Sequence, residues 1–518
     1  MVSLATLKRT AEEGLRYLRR QKDVQEAEVF VASNDGLTAR VNYTSHIPCN
    51  GIEEPKSTSS YGLGVRAVFQ NPRGPRIGLG CEAGDLSLNG IKAALEKARR
   101  SAVHDPDFTT LPRPSPERRM LTKYHDPSAM NLKDADLVHV GWRVLTRALD
   151  EFAKAGSLRA QAKTGPKLRE MGFIVGGDVT VLLERMAIGS TRLPKVQTDE
   201  STLIASFVTA MVEREGAKGT AYGCHTRLSA MRGDAGAEAA CNALSAIGGV
   251  RIKDGEYAVI LGPQPVTELM CNLILPSLTV GSFYDCSSAF HGRLGRQVAH
   301  DDLTIYDHGA LQGHMGSKGI TCEGLPTGRT DLIKDGKLVG LLSSFYETER
   351  MLRDPAAKEK LGVPPEDCPS ALVPRNGFRF AGGGGRRFDM APSVAPTNVF
   401  IEGRKKKTRE DLLRQVQNGV YIGRIWYTYP INGLRTGDFT STVVGDSYVI
   451  KDGKLAAPLK ANVVRINDNI HQVLRNIVGI ISKSRGTIIW AADEVVYAPE
   501  IAVARLRLTE IAGFMDAH

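Results

Sequence analysis

Long apolar runs are missing from this chain of 518 residues. No stretch approaches the ~18 to 20 apolar residues that a membrane-spanning helix requires. The opening Met1 to Arg9 is charged early and has no continuous apolar core, so neither a secretory leader nor a membrane anchor is expected. Paired cysteines are missing as well. Cys49, Cys81, Cys224, Cys241, Cys271, Cys286, Cys322 and Cys368 lie far apart with no C-x-x-C spacing, and they read as free thiols of a cytosolic protein. The net charge is +10 and the isoelectric point near 9.1, yet Lys and Arg are spread along the chain rather than gathered with interleaved aromatics. That distribution argues against a nucleic-acid surface. The one dense basic run, Arg404 to Lys407, precedes a helix start near Thr408 and reads as a solvated loop.

Several catalytic signatures are absent too. Gly248-Gly249-Val250 lacks the Gly-x-x-x-x-Gly-Lys-Ser/Thr spacing and the following helix of a phosphate loop. Gly382 to Gly385, followed by Arg386 and Arg387, is not framed by a strand and a helix. It reads as a flexible crossing or a close backbone approach, with an anion nest as the alternative. No Gly-x-Ser-x-Gly elbow surrounds Ser201, Ser277, Ser317 or Ser441, and His471 falls on the outside of a helix expected over 470–480.

What is present is an ordinary globular composition, 42% apolar and 24% charged, in a chain long enough for two or three domains. An amphipathic helix over 3–22 leads to a strand at Ala27 to Val31, a turn at Asp35-Gly36 and a second hairpin arm at Leu37 to Tyr43. Paired strands at Tyr61 to Phe69 and Arg76 to Gly80, then a helix from Ser87 to Val103, complete an N-terminal α+β domain over 1–107. Arg66, inside an apolar strand, must point to solvent or meet a carboxylate. The Pro-rich segment 108–126 reads as a linker. A middle α+β domain over 127–249 has helices from Leu132 to Ala155 and Ala235 to Ile247, with strands at Met171 to Val175, Val179 to Arg185 and Leu203 to Val212. The remainder, 250–518, is a C-terminal domain with a large, mostly antiparallel sheet: strands at Asn398 to Glu402, Gly419 to Tyr427, Asp446 to Lys451, Lys454 to Leu459 and Ala461 to Ile466. The fold class expected is α+β.

The stretch from Asp254 to Phe345 organises the rest. Tyr257 to Leu261 reads as a buried strand and Gly262-Pro263 as a turn. Val266, Leu269, Met270, Leu273 and Ile274 then recur at helical spacing until Pro276 ends the helix. Farther along come Arg296, Glu323-Gly324-Leu325-Pro326 and Ile333 to Leu338; upstream stand Glu28-Val29-Phe30-Val31, Gly62-Leu63-Gly64-Val65-Arg66 and Arg76-Ile77-Gly78. In this order they resemble the TldD/PmbA metalloprotease family. Pro396-Thr397-Asn398 fits it as well. Thr436-Gly437-Asp438-Phe439-Thr440 with Gly445 resembles a Thr-Gly-Asp-Phe-Ser pattern of its PmbA (TldE) branch, and the likeness covers most of 20–515.

The resemblance implies that catalytic members carry His-Glu-x-x-x-His on this helix, two imidazoles for zinc and a carboxylate that polarises the bound water. They also draw a cysteine ligand from near the C-terminus. Here the corresponding positions are Cys271, Asn272 and Pro276. No histidine lies between His225 and His291, no cysteine follows Cys368, and Glu268 with Cys271 cannot supply three ligands. The Asp-Asp-Glu-Gly turn of many relatives is Thr321-Cys322-Glu323-Gly324.

The expectation is a chain without catalytic or zinc-binding residues of its own. In it Arg66, Glu323, Gly324, Asn398, Thr436, Gly437, Asp438 and Phe439 shape a cleft or the fold. Such a chain would pair with a TldD-like subunit that holds zinc and acts on unfolded or leader-type peptides. Two alternatives stay open. One is a non-enzymatic homodimeric peptide-binding protein of the same fold. The other is a hydrolase whose metal site is displaced to His300, His308 or His314, where imidazoles and the carboxylates of Asp301, Asp302 and Asp307 gather.

Overall fold

Two large sheets carry the chain, which the computed structural model describes at residues 2–47, 51–72, 74–380, 385–489, 492 and 494–511. The first sheet runs in the order Val103–His104, Arg76–Ala83, Lys56–Phe69, Val24–Thr44, Phe173–Ser190, Gln197–Val212, Ala217–His225, with Gly51–Ile52 beside Val24–Thr44. It therefore unites 1–107 with 127–249 in one layer, and the expected division into two domains is corrected. The reason is strand length. Val24–Thr44 needs backbone partners on both sides. Lys56–Phe69 supplies one side and Phe173–Ser190 the other, the latter in register from Glu28↔Ser190 to Thr44↔Ile174.

The same long register overrules the expected turn at Asp35-Gly36. Gly36 lies opposite Thr58 on one side and Leu182 on the other, and the strand runs straight through. Phe173–Ser190 likewise continues through Gly176-Gly177, where two shorter strands were expected. Gly177 has φ +146°, and a Cβ there would stand 2.0 Å from the Phe207 carbonyl oxygen, so the glycine permits a close approach rather than a break.

Helices cover one face of this sheet. Leu4–Leu18 and Leu88–Ser101 bury Leu7, Ala11, Ile91 and Leu95 against Val29, Val31, Leu63 and Val65. Asp134–Lys154 and Asp234–Ser245 bury Val144, Phe152 and Ala239 against Val41, Val175 and Val208. On the other face Phe30, Ala32, Met186 and Ile188 meet Ile320, Cys322, Phe378 and Phe388 of the C-terminal half. With both faces covered, every residue from Ala27 to Asn34 is buried and the usual in-out alternation disappears.

Segment 108–126 is not a free linker. Its prolines keep it irregular, but Glu26 accepts from Thr110 Oγ1 (2.9 Å) and the Leu111 N–H (2.7 Å), and Asp199 accepts from Arg119 (2.6 Å) and the Tyr124 hydroxyl (2.7 Å). Side chains of the sheet thus satisfy a strap that has no ladder of its own.

The second sheet has thirteen strands, ordered Lys337–Leu338, Arg329–Lys334, Leu303–His308, Asn398–Gly403, Val495–Glu510, Gly255–Leu261, Gly419–Ile422, Tyr448–Lys451, Lys454–Pro458 along its main path. Asn398–Gly403 with Val495–Glu510 and Gly255–Leu261 with Gly419–Ile422 are parallel; the other strand pairs are antiparallel. The mixed α+β class is as expected. The expected strand over Gly419 to Tyr427 divides at Gly423, where a Cβ would meet the Asp446 carbonyl at 2.0 Å. The helix expected over 470–480 ends after Ile470–Arg475, and Ile477–Thr487 is a strand. Its β-branched Ile477-Val478 and Ile480-Ile481 favour a pleated surface over a helix. The seven cysteines among the described residues are free, and Cys49 lies outside them. No helix among the described residues is long and apolar enough to cross a membrane.

Candidate functional site

Strand Gly255–Leu261 delivers the chain to an extended Gly262, and Pro263, its φ preset, starts the helix Pro263–Leu269. The helix then widens. Met270–Ile274 is a π turn, with the Leu275 N–H bonded to the Met270 carbonyl, before Leu275–Ser277 resumes the α form. Pro276 therefore sits inside the last turn instead of ending the helix before it. It has no N–H to donate, and the ladder shifts register just ahead of it. In a regular α-helix, residues five apart lie about 140° apart around the axis. An i→i+5 turn brings such residues, here Cys271 and Pro276, toward one side.

Three side chains at four-residue spacing form the polar face of this helix. Gln264 Nε2 (3.1 Å) and Asn272 Nδ2 (2.9 Å) both donate to the Glu268 carboxylate. Gln264 also exchanges hydrogen bonds with the Ile425 backbone, at 3.1 and 3.0 Å, and so pins strand Arg424–Pro430 to the helix. Glu268 is 8% exposed, and burial raises its carboxyl to about 7 against the opposing pull of Arg424 and the two amides. Burial first, then the charge of Glu494, hold the Cys271 thiol well above the usual thiol range. Asp307 accepts from the Thr397 N–H (2.7 Å) and Asn376 Nδ2 (2.8 Å), and burial pushes it up to about 6, with Glu494 adding to the shift. Arg424 feels both Glu268 and Asp446. Burial lowers its pKa, and among the described residues its Nε has no hydrogen-bond partner.

Next to this helix a cleft of about 510 Å³ opens between the edge strand Ala217–His225 and the strand Ile477–Thr487. Tyr222 and Arg485 stand in its wall. The Tyr222 hydroxyl is 2.9 Å from Thr487 Oγ1, and Arg485 pairs with Glu238 at 2.7 Å. Tyr222 also feels the charge of Arg424, so the cleft and the helix site adjoin.

Residues 254–510 match the family model described as the PmbA/TldA metallopeptidase C-terminal domain. The chain belongs to the TldD/PmbA family. The metalloprotease slr0863 of Synechocystis sp. is 32% identical over 187 residues, 36% of this chain and 34% of that one. Metalloprotease PmbA of Escherichia coli O157:H7 is 25% identical over 334 residues, 63% of this chain and 67% of that one. The matches thus span from about a third to two thirds of these relatives' own lengths. TldE from Thermococcus kodakarensis superimposes with a TM-score of 0.74 over 97% of this chain and 100% of that one at 16% identity, which shows a common fold.

In this TldD/PmbA chain, zinc does not fit the residues at the helix. The thiolate, not the thiol, is the metal ligand, and Cys271 is held as a thiol beside Glu494. Asn272 serves Glu268, and Pro276 has no donor atom. Among the described residues no group of three or more His, Cys, Asp or Glu side chains converges. The displaced site expected as an alternative is not assembled either, because each imidazole serves its own turn. His300 Nδ1 accepts from the Asp302 N–H (3.1 Å), His308 Nδ1 accepts from the Ala310 N–H (3.3 Å), and the His314 ring lies edge-on to Phe400 and Tyr497.

The other sequence-predicted positions lie apart from the helix and hold the frame. Arg66 meets its cross-strand neighbour Glu28 at 3.0 Å, and Glu28 also takes the buried Arg379. Glu323, 1% exposed, accepts from the Phe345 N–H (2.9 Å), and burial raises its carboxyl to about 7. Gly324, at φ +77°, receives Gln197 Nε2 on its carbonyl at 2.5 Å. Asn398 clamps a loop, accepting from the Gly316 N–H (2.8 Å) and donating to the His308 carbonyl (3.0 Å) and Ser317 (2.9 Å). Thr436 and Gly437 close a turn that Asp438 fastens to Asn469 Nδ2 (2.9 Å), and Phe439 is fully buried. The anion nest is corrected in its arginines. Arg386 is buried between Asp199 (2.8 Å) and Glu184, and Arg387 pairs with Asp389, while Gly382 to Gly384 lie outside the described residues.

Sequence reasoning missed Gln264, Arg424, Asp446 and Glu494. The four-residue spacing of Gln264, Glu268 and Asn272 was a usable signal. Arg424 and Glu494 arrive from distant strands and leave none.

Proposed function

We propose that this chain is a non-catalytic subunit of a cytosolic TldD/PmbA-type metallopeptidase. It pairs with a zinc-bearing chain of the family and supplies wall and sheet edge to a cleft that takes unfolded or leader-type peptides. The observation that carries this reading is the helix Pro263–Ser277. Its backbone has a π turn that suits ligands five residues apart, yet Cys271, Asn272 and Pro276 stand there with a protonated thiol, an amide and no donor. The fold shared with TldE supports the same branch. A pairing surface is at hand in the hairpin after Arg424, where Tyr427 (70%), Tyr429 (52%) and Ile431 (37%) are exposed together.

Affinity purification of the tagged chain from cells that also express a His-Glu-x-x-x-His relative tests the proposal. The expected result is a stable pair that contains zinc and cleaves unfolded peptides, with neither property in this chain alone. A lone symmetric dimer that leaves the relative behind, or zinc and cleavage in the isolated chain, overturns it.

A further inference from the structure

The cleft beside Tyr222 carries more than a wall. Strand Ala217–His225 is the last of its sheet, so one edge of it has no strand neighbour. Part of that edge is already occupied by side chains. Thr220 offers its N–H to Asp446 (3.3 Å) and its carbonyl to Asn242 Nδ2 (2.9 Å), and the Tyr222 carbonyl receives Arg485. In an antiparallel strand the backbone groups of alternate residues face the same edge. Cys224 is therefore the next residue to turn its N–H and C=O outward. It lines the cleft, and among the described residues no side chain or strand takes those two groups on that edge.

The charge at this end of the cleft is mainly positive, with Asp234 in the same lining. Arg227 and Arg232 are exposed in the lining, and among the described residues neither makes an ion pair or hydrogen bond through its side chain. His225 stands beside them. Asp234, whose charge also reaches His225, pairs with Arg147 at 3.4 Å, and Glu238 pairs with Arg485 at 2.7 Å. Met231, Met315 and Tyr497 supply apolar and aromatic wall between the edge and the arginines.

We propose that this cleft binds the C-terminal end of an extended peptide, whose backbone pairs with the free peptide groups of Cys224 and whose terminal carboxylate is received by Arg227 and Arg232. Backbone pairing gives affinity without regard to most side chains, and the arginines fix which end of the peptide enters. The inference rests on the peptide-handling role proposed above and adds a polarity to it.

The test uses the full chain and a short, unstructured, fluorescein-labelled peptide in two forms, with a free C-terminal carboxylate and with a C-terminal amide, read by fluorescence anisotropy. The free acid binds about tenfold more tightly than the amide, the size of one charge-assisted contact. In an Arg227→Ala, Arg232→Ala variant the two forms bind equally, at the amide's affinity. Because both side chains are exposed, the variant keeps its fold, which circular dichroism checks. Methylating successive backbone nitrogens of the peptide weakens binding at every second position, the signature of an added strand. Equal binding of acid and amide to the unaltered chain, or an unchanged preference in the double variant, overturns the inference and leaves the peptide-handling role standing. Failure of both forms to bind, alone and with the partner present, overturns both.

Discussion

The Cys271 thiol and the Glu494 carboxylate face each other where the helix Pro263–Ser277 meets the start of the strand Val495–Glu510. Burial and that carboxylate hold the thiol in its protonated form. Cys271 therefore reacts with iodoacetamide much more slowly at neutral pH than an open thiol, because only the thiolate attacks. Glu494→Gln removes the negative charge and speeds alkylation, though only in part, since burial is the larger cause. Peptide mapping by mass spectrometry across a pH series measures both rates. A rate at pH 7 equal to that of a free thiol would contradict the geometry.

Glu28 answers two guanidinium groups at once, Arg66 at 3.0 Å and the almost fully buried Arg379, which also rests on the Phe30 ring at 4.5 Å. Breaking one side of a buried pair leaves an uncompensated charge. Glu28→Gln is expected to cost about 3 to 5 kcal/mol, read as a lowered unfolding midpoint. Arg66→Leu costs less, because Arg379 still neutralises the carboxylate.

Glu323 sets a pH dependence whose sign follows from burial. Its carboxyl titrates near 7 in the folded chain, against about 4.3 in an unfolded one. Between those values the folded state holds the extra proton. The stabilising contribution is complete below the unfolded value and is lost as pH rises through the folded one. Glu323→Gln removes that loss. Relative to the unaltered chain it gains on the order of 3 kcal/mol between pH 4 and pH 8. Glu184, lowered to about 2 by Lys318 and Arg386 against its burial, runs the other way: its contribution is present above the unfolded value and lost only in acid. Denaturation of both proteins at the two pH values isolates the Glu323 part.

The helices of the first layer were legible because each carries its own signals. Ser3 and Ser87 cap Leu4–Leu18 and Leu88–Ser101, and the apolar positions repeat at helical spacing. Strand extents were not. Asp35-Gly36 and Gly176-Gly177 are genuine local turn signals, but the register of two long neighbours outweighs them. For Arg66 the sequence states a requirement, a carboxylate or solvent, and only the sheet register names Glu28. At the helix site the residues on one element, Glu268 and Cys271, could be read directly. Those that set their chemistry, Glu494 and Arg424, are brought in by strands paired across the whole C-terminal half, and no local pattern announces them.

The π turn itself makes the last prediction. If Met270–Ile274 brings positions 271 and 276 to one side, and Glu494 already faces position 271, two substitutions complete a donor set. Cys271→His with Pro276→His then offers two imidazoles and one carboxylate, a set that binds zinc tetrahedrally with a fourth position left open. The double variant is expected to retain zinc through dialysis in a one-to-one ratio by metal analysis, and neither single variant does so. Adding Glu494→Ala to the double variant should release the metal, which separates the designed site from adventitious binding at surface histidines. A folded double variant that holds no zinc would mean that the widened turn does not align the two positions. The likeness of this helix to a metal-binding one would then be in sequence position alone.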